Sequence, residues 1–213
     1  LMGYLETVST APKQRETAVF PVQWVNRPNS DFRGFSGQVA QGQFKVGQEV
    51  RVTRSGQTAR IKDIVTMDGS LSVAVAGDAP TLVLDAEIDA SRGDIISLSD
   101  QPLETSDQFQ ANLVWMHEDA GLPGRSYEIK LANQWASATL TRIKHKTNVN
   151  TLAQEPATTL HLNEIGLCDL NLSKPLVCGP YESSPTLGSF ILVDKRSQAT
   201  IAAGMITHSL RRA

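Results

Sequence analysis

The sequence predicts an all-β protein built as two consecutive antiparallel β-barrels. Three observations carry that expectation. Short apolar runs with period-two alternation recur along the chain, separated by Gly, Pro, Asn and Asp. No long amphipathic helical pattern appears after residue 16. The β pattern pauses once, in the polar stretch Ser99-Asp100-Gln101-Pro102-Leu103-Glu104-Thr105-Ser106-Asp107. That pause leaves two blocks of about 90–110 residues, each the size of a small barrel domain. The expected division is a terminal remnant over 1–16, a first barrel over 17–102 and a second over 103–213.

Residues 1–16 come first. Leu1, Leu5 and Val8 have rough helical spacing, and Ser9-Thr10-Ala11-Pro12-Lys13 reads as a polar linker. A helix this short is not stable by itself. Residues 18–25 form an apolar strand candidate. Pro21 within it points to an edge strand or a bulge, because proline cannot donate to a ladder. Residues 26–31 are turn-rich and read as a loop.

Residues 32–50 are punctuated by Gly34, Gly37, Gly42 and Gly47. Gly42 sits where a tight reversal requires positive φ, which a residue without Cβ adopts freely. Val50 and Val52 alternate with Glu49 and Arg51, which places both valines on one strand face. Strands are then expected over 58–67, 71–76, 81–84 and 95–98, with Asp68-Gly69 as a turn pair. In the second block they are expected over 109–116, 126–131, 136–146, 158–172, 190–193 and 201–206. Trp24, Trp115 and Trp135 all fall inside strand candidates, where packing into a core is the default.

Composition bounds the function. The chain has 213 residues, 40 % hydrophobic and 20 % charged, with a formal net charge of −2 and a pI near 6.1. That balance argues against gripping nucleic acid by phosphate neutralisation. No apolar run reaches the length of a membrane span, and the first residues lack the basic segment and apolar core of a signal peptide. A cytoplasmic location and no membrane partner are expected. In that compartment Cys168 and Cys178 read as buried free thiols rather than a disulfide.

No catalytic motif emerges. Gly37 and Gly42 have the spacing of a phosphate-binding loop, but Gln43-Phe44 follows where Lys and Ser or Thr are needed. His117, His145, His161 and His208 are not at metal-ligand spacing, and His117-Glu118-Asp119 reads as a solvated loop. GxSxG is missing, so no serine nucleophile is argued. The sharpest charge feature is Arg142-Ile143-Lys144-His145-Lys146. On a regular strand Arg142, Lys144 and Lys146 share one face. That face is either an interface for an anionic partner or a solvated surface whose lysines blunt an edge.

The glycine stretch also carries a family resemblance. Arg33-Gly34-Phe35-Ser36-Gly37-Gln38-Val39-Ala40-Gln41-Gly42, followed by Lys45-Val46-Gly47-Gln48-Glu49-Val50, resembles the second domain of the elongation-factor-Tu-like GTPases. Ala76-Gly77-Asp78 and Ser91-Arg92-Gly93-Asp94-Ile95 are similar to later landmarks of that domain. Within the superfamily, Phe20-Pro21-Val22-Gln23-Trp24-Val25-Asn26-Arg27-Pro28-Asn29 ahead of Asp31-Phe32-Arg33-Gly34-Phe35 resembles the large subunit of bacterial sulfate adenylyltransferase. So do Leu162-Asn163-Glu164-Ile165-Gly166, Pro175-Leu176 and Gly188-Ser189-Phe190-Ile191-Leu192-Val193-Asp194. Residues 1–8 resemble the end of the last helix of the family's GTPase domain.

The resemblance implies the two C-terminal barrels of a GTP-dependent regulatory subunit, without its GTPase domain. That subunit supports adenylylsulfate synthesis from ATP and sulfate during sulfate assimilation, and a small subunit performs the adenylyl transfer. The expected partners are therefore a GTPase domain in cis and the small catalytic subunit. GTP and magnesium are expected on the GTPase domain, so no cofactor, metal or catalytic residue is assigned here. Gly34, Gly42, Gly47, Gly77 and Gly93 are expected in turns, with Arg33, Asp78 and Arg92 as polar anchors. The alternative is the barrel pair of a translation GTPase that binds aminoacyl-tRNA.

Overall fold

The computed structural model describes residues 2–8, 17–29 and 32–210. The expected linker at 9–13, Leu1 and the end of the 26–31 loop lie outside them. A short helix, α1 (Met2–Thr7), opens the chain with no buried residue.

The first sheet uses β1 (Phe20–Asn26), β2 (Gly34–Gly37), β3 (Gln43–Lys45), β4 (Glu49–Val52), β5 (Thr58–Thr66), β6 (Gly69–Leu71), β7 (Val73–Val75), β8 (Thr81–Leu84) and β9 (Ile95–Leu98). Six of these close into a ring, in the order β1-β2-β8-β5-β4-β9 and back to β1. All the pairings are antiparallel. β6 is added outside the ring on β5, and β3 pairs with β7 as a separate ribbon. Inside the ring lie Phe20, Phe35, Phe44, Val50, Val52, Ile61 and Ile64, all essentially without exposure. Phe20 and Phe44 meet edge to face with centroids 6.0 Å apart, the arrangement the ring quadrupole favours.

The second sheet uses β10 (Thr105–Trp115), β11 (Ser126–Leu131), β12 (Gln134–Thr147), β13 (Gln154–Glu155), β14 (Ile165–Val177), β15 (Ser189–Val193) and β16 (Thr200–Ser209), with a one-turn helix α2 (Pro185–Gly188) ahead of β15. It also closes, in the order β10-β14-β12-β11-β15-β16 and back to β10. Its centre is Phe109, Leu113, Trp115, Ile129, Leu140, Leu170 and Leu192. Cys168 and Cys178 are free and buried, and burial pushes their thiols up to about 12 and about 11. They behave as small hydrophobes, not nucleophiles.

Several elements differ from expectation for identifiable reasons. Pro21 is not on an edge, because β1 pairs on both sides. The bulge is there instead: Val22 faces Gly37 but Trp24 faces Ser36, leaving Gln23 as the extra residue. One extra residue flips the following side chains to the opposite face. Val25 therefore packs on the core while Trp24 stands 64 % exposed. Trp135 is also outside, 43 % exposed between the buried Gln134 and Ala136 on β12, with Lys130 Nζ 5.6 Å from its ring centroid. Only Trp115 fills a core. The expected strand at 71–76 is two strands, β6 and β7, with Ser72 between them. The expected strand at 158–172 begins only at Ile165, because Leu160 makes only an isolated bridge to Gly121 and the chain then turns at Leu162–Asn163, with Asn163 at φ 65°.

Candidate functional site

The two barrels face each other across a small apolar seam. Val19 and Ile95 from the first barrel pack with Val177 and Leu187 from the second, flanked by Ala40 and Leu103. Beside the seam, the turn before β9 meets the β11–β12 turn. Gly93 has φ +97°, and a Cβ there would lie 2.9 Å from the Asn133 carbonyl oxygen. Its positive φ and the neighbouring barrel both exclude a side chain. Gln134 then fastens the start of β12 to the end of β14. Its Nε2 donates to the Val177 carbonyl and its Oε1 accepts from the Val177 amide, both at 2.9 Å.

These elements enclose a cleft of about 690 Å³. Arg54, Ser91, Arg92 and Asp94 line it from the first barrel, and Trp135 and Lys174 from the second. The fixed point is Asp94, whose side chain is 6 % exposed. Arg54 donates to it through a two-pronged fork, Nε to Oδ1 at 2.6 Å and Nη2 to Oδ2 at 3.0 Å. The Ser91 amide and hydroxyl also donate to Oδ2, at 2.8 and 3.3 Å. Burial alone pushes the Asp94 carboxyl up. The Arg54 and Ser91 hydrogen bonds and the Arg54 charge outweigh it, and hold the group below the usual carboxylate range. The same hydrogen bond and charge raise the Arg54 guanidinium. Thr53 is at the cleft too, and its Oγ1 is buried without a hydrogen-bond partner.

The residues singled out from sequence scatter over the molecule. Gly42, Gly47, Gly77 and Gly93 are all at positive φ. Gly34 is not in a turn but opens β2, where a Cβ would meet the Thr81 methyl and the Phe32 ring, so the glycine leaves room for those side chains. Arg33 stacks over Phe35, 5.4 Å from the ring centroid. Asp78 closes its turn by accepting from the Val75 amide at 2.8 Å. Arg92 reaches the cleft.

Arg142, Lys144 and Lys146 form no free basic stripe. Register shifts at 140/142 and 143/145 break the alternation that would align them. Lys144 pairs with Asp169 at 3.7 Å and Lys146 with Glu164 at 2.7 Å. The Lys146 hydrogen bond and the His161 amide lower the Glu164 carboxyl. Sequence reasoning missed Arg54 with its neighbour Thr53, Trp135 and Lys174, three places far apart in the chain that share no local spacing. Among the described residues, no group of three or more His, Cys, Asp or Glu is placed to hold a metal ion. No helix among them is long and apolar enough to cross a membrane.

Comparison with known proteins resolves the family. The model for elongation factor Tu domain 2 matches residues 35–97, and the GTP-eEF1A C-terminal domain-like model matches 108–207. The chain is a pair of elongation-factor-Tu-like barrels. The whole pair is 49 % identical to the bifunctional enzyme NodQ of Azospirillum brasilense, of which it spans 35 %. It is 42 % identical over 99 % of its length to sulfate adenylyltransferase subunit 1 of Sodalis glossinidius, and 44 % over 97 % to that of Laribacter hongkongensis. It spans 45 % and 43 % of those two relatives, less than half of each. In three dimensions the barrel pair superposes on Sup35 complexed with GDP with a TM-score of 0.84, covering 99 % of this chain and 52 % of that one. At 18 % identity that likeness concerns the fold alone.

Proposed function

We propose that this barrel pair serves in a sulfate adenylyltransferase subunit 1. There it braces a GTPase domain of the same polypeptide and contributes to the surface that meets the small catalytic subunit. The carrying observation is end-to-end identity of 42–44 % with subunit 1 relatives from two organisms. GTP and magnesium belong to the GTPase domain in this reading, and adenylyl transfer to the small subunit, in the cytoplasm. The barrels hold geometry while the chemistry happens elsewhere. The cores support such a role: each closed ring fixes its own strands, and the seam and the Gly93–Asn133 approach join one ring to the other.

A chimera tests the proposal. The matching segment of the Laribacter hongkongensis subunit 1 is replaced by this chain and mixed with that organism's small subunit, ATP, sulfate and GTP. GTP-dependent adenylylsulfate formation within about tenfold of the parent is the expected result, a loss of at most about 1.4 kcal/mol in coupling. A folded chimera that hydrolyses GTP without forming adenylylsulfate would remove the bracing and docking role. The translation-factor reading gains no support from the relatives.

A further inference from the structure

The cleft between the barrels has a charge opposite to that of the molecule. The chain carries a formal net charge of −2, yet three cations, Arg54, Arg92 and Lys174, line the cleft against one carboxylate, Asp94. Both Asp94 oxygens are already engaged by Arg54 and Ser91. Arg54 remains 58 % exposed despite its fork, and its Nη1 makes no hydrogen bond among the described residues. Asp89 is the other carboxylate that acts on it, and more weakly than Asp94. Arg92 and Lys174 are exposed and have no carboxylate partner among the described residues.

Solvated surface cations are ordinary, but these converge from two domains on a walled cleft. Low-dielectric walls focus the field of like charges. Guanidinium forks match the oxygens of a phosphoryl group. The cleft volume falls within the range of small-molecule sites, and it exceeds what a single phosphate needs. Trp135 is among its lining residues.

We infer that the inter-barrel cleft binds a phosphoryl oxyanion larger than monophosphate, held by Arg92, Lys174 and the free edge of Arg54. The site goes beyond the bracing role and does not depend on it. The same chemistry has two sources, free pyrophosphate or the phosphate tail of a nucleotide whose base would lie against Trp135.

Calorimetric titration of the whole chain with sodium pyrophosphate, and in parallel with ADP, tests this at constant ionic strength. Saturable pyrophosphate binding with Kd below about 1 mM is expected. The double variant Arg92→Ala/Lys174→Ala should weaken it about tenfold or more, as loss of charged hydrogen bonds does. A control pair, Lys62→Ala/Arg142→Ala, removes the same charge elsewhere on the surface and should leave binding within about twofold. ADP binding that is tighter than pyrophosphate, and reduced by Trp135→Leu, assigns the nucleotide source. ADP binding no tighter than pyrophosphate assigns the free oxyanion. Absence of saturable pyrophosphate binding up to about 10 mM, or equal weakening by the control pair, overturns the site.

Discussion

The two barrels solve one problem, closing six antiparallel strands, in different ways. The first barrel is made of short strands: apart from β5 (9 residues) and β1 (7 residues), its ring strands have four residues each. The second uses long ones, with 14 residues in β12, 13 in β14, 11 in β10 and 10 in β16. The ring orders differ as well, since β1 lies between β2 and β9 whereas β10 lies between β14 and β16. Their reversals are chemically distinct. Gly42, Gly47, Gly56, Gly69, Gly77 and Gly93 take positive φ in the first barrel. In the second, besides Gly124, the left-handed positions are held by Ala132, Leu152, Asn163 and Gln198. Short strands leave many tight reversals at positive φ, which residues without Cβ adopt freely; Gly42 and Gly93 are also crowded by neighbouring backbone, whereas Gly47, Gly69 and Gly77 have open space around them. Long strands carry enough ladder and core to hold a few side chains in a conformation they disfavour.

That contrast can be broken at its core first. Trp115→Ala in the second barrel and Phe44→Ala in the first each remove a fully buried ring, and each should cost about 3–5 kcal/mol in urea unfolding. Both should shift one shared transition, because the Val19–Ile95–Val177–Leu187 seam couples the barrels. Two separate transitions would make the barrels independent units. Next is Gly42→Ala. It adds a Cβ at φ +70° and 2.6 Å from the Ala18 Cα, at a cost of about 2–4 kcal/mol. A cost below about 1 kcal/mol would show that the first barrel's turns do not need glycine.

Asp94→Asn should cost about 1–2 kcal/mol, discounted because Arg54 is largely exposed. It also carries a pH signature. The Asp94 carboxyl is lowered from its ordinary 3.8 by its folded partners. Its contribution is therefore complete above that ordinary value and lost as pH falls through the lowered folded one. The acid slope of stability below about pH 4 should flatten in the Asn variant; an unchanged slope would assign the acid response to other carboxylates, Glu164 among them. The smallest effect is expected at Leu152→Gly. This exposed residue at φ +60° should become neutral or more stable by up to about 1 kcal/mol, and a clear loss would deny strain in the second barrel's turns.

Strand periodicity made much of this fold legible. The bounds of β8, β9 and β11 match the expected runs 81–84, 95–98 and 126–131, and Val50 and Val52 are buried as their spacing requires. What alternation could not supply was the bulge at Gln23. A single extra residue reverses which of Trp24 and Val25 faces the core, and no local pattern signals it. The same limit applies to Arg142, Lys144 and Lys146, where two register shifts separate an apparent stripe. The cleft was less legible still. Arg92 and Gly93 stood out through a local motif, but Arg54, Trp135 and Lys174 reach the cleft only through the packing of one barrel on another.

The closure of both rings has a consequence for where such a pair can be used. A ring has no unpaired strand to offer or to seek, and the described strands outside the rings, β3, β6, β7 and β13, are only two or three residues long. Neither ring therefore needs a neighbouring strand to complete its hydrogen-bond ladder. Relatives carry the pair: the matching segment makes up 35 % of a bifunctional enzyme and 45 % of a subunit 1. Segments 42–49 % identical to it are carried within polypeptides of different length.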